Sequence, residues 1–239
     1  MSQDYTRIVS VRGSIPVADD IIFCDDVEGQ LNWSGSGTGT DWVVDKYGAV
    51  NAVMRGSYGV RMQTKATTPA VGDIVTAVRN VFLTPHRQAL LSACFRLPTV
   101  STIEYFEVRA IYWDGTYQYE LSLRYDRAAG IWKQYISGTY QYNIAGSSQV
   151  FHPDAWNRIE VAVDFANYNR NLRGLVCNQV NLPDINYNVL AAYDSAAPHL
   201  TVSFALKSSA ASQQTMYLDD IVVLARIPQV RIQGPAVII

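Results

Sequence analysis

Thr215-Met216-Tyr217-Leu218-Asp219-Asp220-Ile221-Val222-Val223-Leu224 reads as a β-strand with two carboxylates in the middle of an apolar run. A second Asp pair lies near the start of the chain, in Ile21-Ile22-Phe23-Cys24-Asp25-Asp26-Val27-Glu28-Gly29. Asp is disfavoured inside strands and costly to bury unless its oxygens find donors. Two such strands bracketing a β-rich chain imply one closed unit whose first and last strands lie together.

Between them the periodicity is that of strands. Phe106, Val108, Ala110 and Tyr112 alternate with Glu107, Arg109, Ile111 and Trp113; after Asp114-Gly115, Tyr117, Tyr119, Leu121, Leu123 and Tyr125 alternate with polar residues. Asp-Gly between alternating runs signals a two-residue hairpin. That turn would set Phe106 opposite Leu123, Val108 opposite Leu121, Ala110 opposite Tyr119 and Tyr112 opposite Tyr117, apolar against apolar. It would also set Arg109 opposite Glu120 as a cross-strand ion pair. The meander continues through Ile131–Ile136, Tyr140–Ile144, Trp156–Phe165, Leu172–Val180 and Leu200–Leu206. Upstream, Ala49–Met54, Ser57–Thr64, Val75–Phe82 and Ala89–Leu97 read as short β segments, and residues 30–48 as a Gly/Ser/Thr loop too glycine-rich for a regular strand. No segment has a useful helical period. The expectation is an all-β antiparallel jelly-roll β-sandwich over residues 19–225, with an N-terminal arm at 1–18 and a C-terminal arm at 226–239.

Composition narrows the function classes. A formal net charge of -2 without a basic run argues against nucleic acid as a partner. No apolar run approaches roughly 18 residues, so no membrane-spanning helix is expected. Residues 1–7 lack the basic region and apolar stretch of a secretory signal. Cys24, Cys94 and Cys177 are odd in number and fall inside strands, which reads as small buried hydrophobes in a chain folded in a reducing compartment.

Three stretches resemble the concanavalin A-like lectin/glucanase jelly rolls, which include laminin G-like modules. Phe23-Cys24-Asp25-Asp26-Val27-Glu28 is similar to their opening F-x-D-D-F-E. Trp156-Asn157-Arg158-Ile159-Glu160-Val161, followed by Leu175-Val176-Cys177-Asn178-Gln179-Val180, is similar to their W-x-x-v-x-v … l-y-v-N-g hairpin, with Gln179 in place of Gly. Tyr217–Val223 resembles their closing strand. The resemblance covers roughly residues 20–225 and implies a fold rather than an activity, because the superfamily holds lectins, hydrolases, lyases and structural modules.

Several chemistries can be weighed on these residues. The laminarinase-type E-x-D-x-x-E run is absent. Tyr135–Gln141 is similar to an alginate-lyase strand but lacks its Lys, and the accompanying Q-I-H does not occur. Glu107 and Glu120 share a face with Arg109 and Arg124, which reads as a solvated charge ladder rather than a catalytic pair. His86, His152 and His199 each neighbour a Pro and read as loop residues. No catalytic residues are assigned; a polysaccharide lyase or glycoside hydrolase is the remote alternative. Asp25, Asp26, Asp219 and Asp220, with Glu28 nearby, would cluster if the terminal strands are neighbours, and hard oxygen donors suit Ca²⁺, the one cofactor considered. Trp33, Trp42, Trp113 and Tyr140 lie in or near expected loops, where exposed aromatics could stack a glycan.

The arms carry the assembly reading. Arg7, Ile8, Val11 and Arg12 match Arg226, Ile227, Val230 and Arg231 in spacing, and Ile232, Val237, Ile238 and Ile239 add apolar surface. A lectin-like jelly roll without a signal or catalytic motif fits a non-enzymatic structural or decoration protein of a bacteriophage particle. It would fold in the host cytoplasm, reside in the virion, and assemble through its arms as a homo-oligomer on a capsid or tail lattice. The alternative is a carbohydrate-binding, lectin-like adhesion module.

Overall fold

The computed structural model describes residues 21–81, 88–136, 140–144, 152–165, 172–178, 180–182 and 190–224. Both arms lie outside the described residues. In chain order the strands are β1 (Ile21–Asp25), β2 (Ser34–Gly37), β3 (Val43–Tyr47), β4 (Gly59–Gln63), β5 (Ile74–Val81), β6 (Gln88–Arg96), β7 (Ile103–Trp113) and β8 (Tyr117–Asp126). They continue as β9 (Ile131–Ile136), β10 (Tyr140–Asn143), β11 (Trp156–Asp164), β12 (Leu172–Cys177), β13 (Val180–Leu182), β14 (Leu190–Tyr193), β15 (His199–Ser208) and β16 (Thr215–Leu224). They form two eight-stranded sheets. The first runs β13-β12-β11-β6-β16-β4-β3, with β1 also on β16; the second runs β10-β9-β8-β7-β15-β5-β2, with β14 also on β8. The described pairings are antiparallel. The architecture is an antiparallel jelly-roll β-sandwich.

The core is the shared inner face of the two sheets. Phe95 of β6 meets Phe106 of β7 with ring centroids 4.5 Å apart, and Trp132 of β9 meets Phe106 at 5.8 Å. Such tilted and edge-on contacts suit the ring quadrupoles and add to the area buried. Cys94 and Cys177 are buried thiols and Cys24 is half-buried. Burial, the largest cause in each case, pushes Cys94 and Cys177 up to about 12 and Cys24 up to about 11. These thiols therefore stay protonated at neutral pH and behave as apolar groups.

Three sequence expectations need correction. The β7–β8 hairpin closes with a three-residue connection, 114–116: Phe106 faces Tyr125, Val108 faces Leu123, Ala110 faces Leu121 and Tyr112 faces Tyr119. The cause is Asp114, whose Oδ1 accepts the Thr116 and Tyr117 N–H groups at 2.9 and 2.8 Å and so widens the turn. Because the slip is even, apolar still meets apolar. Arg109 now faces Ser122 and reaches Glu120 diagonally, at 2.6 Å. Second, the stretch 30–48 holds β2 and β3. Gly35 and Gly37 are what allow β2: a Cβ at either would come within 2.4 and 2.7 Å of the Trp42 ring, which lies across the strand. Third, residues 49–54 contain a 3-10 turn, Val50–Ala52, rather than a strand.

The two carboxylate-bearing strands are neighbours, as the sequence implies. β16 pairs with β6 along one edge; along the other, Thr215–Leu218 pair with β4 and Ile221–Leu224 with β1. Asp219-Asp220 is the point at which the outer neighbour changes. Opposite β6 the strand bulges there by one residue, between Asp219 and Val222, and Asp220 takes φ 48, a left-handed conformation that Asp tolerates. Asp219 is fully buried. Its Oδ2 accepts the N–H groups of Met54 and Arg55 at 2.8 and 3.0 Å, and its Oδ1 that of Asp220 at 2.7 Å. Glu28, just past β1, receives the N–H groups of Ser57 and Tyr58 at 2.6 and 2.9 Å. Gly56 must be glycine, because a Cβ there would meet Glu28 Oε1 at 2.2 Å at φ 73.

Burial pushes the Asp219 carboxyl up to about 6, three N–H bonds pull it back only partly, and the Asp220 charge adds to the rise. The unfolded chain releases the same proton near an ordinary Asp value of about 3.9. Between these values the folded state holds more protons, so Asp219's contribution to stability is complete below the unfolded value and is lost as pH rises through the folded one. The melting temperature of the wild type should therefore rise from about pH 7 to about pH 5 by an increment that Asp219→Asn removes. Equal pH slopes for the two proteins, measured by calorimetry, would refute this.

Candidate functional site

The widened turn after β7 shapes one end of the second sheet. Asp114 holds it from inside: besides the two turn N–H groups, its Oδ2 accepts the Tyr119 hydroxyl at 3.1 Å. Alternation along β7 puts Phe106, Val108, Ala110 and Tyr112 in the core and turns Tyr105, Glu107, Arg109, Ile111 and Trp113 to the outer face. On that face the Trp113 ring stacks on His199 of β15, with centroids 4.1 Å apart and planes 9° apart. Its indole N–H donates to Asp194 Oδ2 at 2.8 Å. Asp194 is fixed in turn by the Ala196 N–H on its Oδ1, at 3.1 Å, and by its own N–H on the Thr116 carbonyl, at 3.0 Å.

On the other face of the same end, aromatic rings run from the core into solvent. Phe165 stacks on Tyr112 at 5.5 Å, Tyr112 on Tyr119 at 6.2 Å, and Tyr119 meets Tyr117 at 6.4 Å. Tyr117 pairs with Tyr193 of β14, the rings 6.2 Å apart at 89°. Tyr112 and Tyr119 are buried, but Tyr117 is 42% exposed and Tyr193 77%. These two rings continue the core's row past its edge, presenting apolar surface beside carboxylates without an apolar neighbour over them among the described residues.

Of the four residues expected to stack a glycan, Trp113 stands at this end. Trp33 does not: it is buried, donates its indole N–H to Asp25 Oδ2 at 2.9 Å, and packs 5.7 Å from Phe204. Trp33 does lie in the β1–β2 connection, but its ring is not exposed, because a carboxylate next to the core gives the indole a buried partner. Trp42 is half-buried over the β2 glycines. Tyr140 opens β10, and its side chain lies outside the described residues. Tyr117, Tyr193, Asp194 and His199 were not expected. Tyr117 was hidden by its alternation onto the apolar face, and Leu190-Ala191-Ala192-Tyr193 carries no clear strand pattern.

The acidic residues proposed as Ca²⁺ ligands are occupied with backbone and side-chain donors. Asp25 accepts the Val27 N–H at 2.8 Å as well as the Trp33 indole, and Asp26 accepts the Glu28 N–H at 3.3 Å. Asp219 is bonded as described above, and Asp220 lies 3.4 Å from the Arg55 guanidinium. Among the described residues no three His, Cys, Asp or Glu side chains are grouped to hold a metal ion. Glu107 pairs with Arg124 and Glu120 with Arg109 across the outer face of β7 and β8. This is the expected charge ladder, but Glu107 is buried within it rather than solvated.

No protein-family model matches the sequence, and no curated protein sequence is significantly similar to it. Solved structures share its fold. Cellulose induced protein, Cip1, is 13% identical with a TM-score of 0.58, over 85% of this chain and 97% of that one. The carbohydrate esterase vb_24B_21 of Shiga toxin-encoding bacteriophage phi24B is 13% identical with a TM-score of 0.51, over 81% of this chain and 89% of that one. Botulinum neurotoxin type C is 11% identical with a TM-score of 0.50, over 87% of this chain and 48% of the toxin chain. At these identities the likeness is one of fold, the jelly-roll β-sandwich.

Proposed function

We propose that this chain is a non-enzymatic carbohydrate-binding module that holds a glycan at the aromatic end of its second sheet. The observation that carries the reading is the exposure of Tyr193 and Tyr117 at the end of a row of otherwise buried rings. Pyranose rings present C–H groups on one face and hydroxyls at their rim. An exposed aromatic ring offers the first a complementary surface, and nearby carboxylates offer the second acceptors. Rings anchored by a strand pair and a buried row lose little entropy on binding. The fold adds support by analogy: the phage relative is a carbohydrate esterase, and the toxin's cell entry depends on two ganglioside molecules.

On a glycan array the wild type should bind a defined set of polysaccharides. Tyr193→Ala should weaken that binding about tenfold, the worth of roughly 1.4 kcal/mol of stacking, with unchanged circular dichroism. An array without hits, or a Tyr193→Ala protein that binds like the wild type, would sink the reading.

A second reading places the module on a bacteriophage particle as a structural or decoration protein. It is supported by the shared fold with a phage protein and by the apolar content of residues 226–239. In this reading Ile227, Val230, Ile232, Val237, Ile238 and Ile239, with Arg7, Ile8, Val11 and Arg12, tie subunits together. Removal of residues 226–239 should then lower the mass measured by light scattering while the β-sheet spectrum persists. An unfolded truncation, or a full-length monomer, would count against it.

A further inference from the structure

The other end of the second sheet has a different chemistry. Ile103, Glu104, Tyr105, Arg124, Asp126, Arg127, Ala128, Lys133 and Ser209 line a cleft of about 240 Å³. Tyr105 forms part of its wall, with the Arg124 guanidinium 4.4 Å and the Lys207 ammonium 5.6 Å from its ring centroid. Most cations around the cleft have a carboxylate: Arg124 has Glu107, Lys133 has Asp126 and Lys207 has Glu104. Arg127 has no carboxylate partner among the described residues. Its backbone N–H is held by the Glu104 carbonyl at 3.2 Å, so the residue is fixed while its side chain is exposed. An exposed guanidinium at the mouth of a concave site lined by further cations fits an oxyanion, which it can engage with two parallel N–H bonds.

Tyr105 and Trp113 lie on the same outer face of β7, eight residues apart, so the cleft is about 27 Å from the Trp113–His199 stack. Between them the face is mostly polar: Arg109 and Arg124 with their partners Glu120 and Glu107, then Ser122, Ser203 and Thr201, with Ile111 among them.

We propose that the cleft at Arg127 is a subsite for the anionic group of a polysaccharide, carboxylate or sulfate, and that the glycan held at the aromatic end is therefore an acidic one. This rests on the carbohydrate-binding reading. Trp113, on the same outer face as the cleft, donates to Asp194, so the aromatic end takes the uncharged face of a sugar and the charge is met at the far end of the sheet. Tyr117 and Tyr193 flank that end from the opposite face.

The test pairs an array of neutral, uronic-acid and sulfated polysaccharides with an amide chemical-shift titration of the full chain by sodium sulfate. Acidic members should bind best, and Arg127→Ala should weaken them about tenfold, as loss of one charge-assisted contact does. It should leave neutral members and the melting temperature unchanged. Sulfate should shift the amides of Arg127, Ala128 and Ser209 in the wild type and not in Arg127→Ala. Sulfate shifts that are absent, or that persist in the variant, overturn the anion subsite whatever the array shows. Hits confined to neutral glycans overturn the acidic class and leave the carbohydrate-binding function standing. A blank array overturns both.

Discussion

The buried carboxylate of Asp219 is the constraint on which the first sheet depends. A strand has two edges, and β16 has three neighbours: β6 on one side, β4 and then β1 on the other. Passing from β4 to β1 leaves a gap in the ladder, and backbone N–H groups facing such a gap need acceptors. Asp219 supplies them for Met54 and Arg55 before β4, and Glu28 after β1 supplies them for Ser57 and Tyr58. Two carboxylates from opposite ends of the chain thus hold one loop. The cost of burying Asp219 shows in its raised proton affinity. The alternative, several unmet N–H groups at the junction of three strands, would cost more.

The second sheet has a similar arrangement with a different outcome. β8 carries β14 along Tyr117–Glu120 and β9 along Ser122–Asp126. Here β14 extends the sheet past the core, and its last residue, Tyr193, stands largely in water. The same device that closes one sheet leaves an apolar edge on the other. With Asp114 and Asp194 each holding several donors, the rings are positioned without being covered. At the opposite end of the same strands the balance of charge reverses toward Arg124, Arg127 and Lys133.

Much of the fold could be read from residue order because its signals are local. Alternation marked β7, β8 and β11; the Asp pairs marked β1 and β16 as partners. Where the reading missed, a long-range contact decided. Gly35 and Gly37 are poor strand formers by themselves, yet β2 forms because Trp42, brought in by β3, needs the space a Cβ would take. Trp33 belonged to the core because Asp25 faces it, a contact across the β1–β2 connection that the intervening sequence does not announce. Trp113 was legible as an outward-facing aromatic next to a turn. Tyr117 was not, since periodicity assigns a face but not the point at which the core ends.

Hydrogen–deuterium exchange of the full chain, with and without a polysaccharide that it binds, tests the assignment of the site most directly. The expected result is added protection across residues 113–119 and 190–199, with none over β3, β4 and the 50–58 loop. That loop is the informative control, because it exposes Val50, Met54 and Tyr58, a second apolar surface that a ligand could take. Protection confined to the loop, with exchange at residues 113–119 and 190–199 unchanged, would contradict the account.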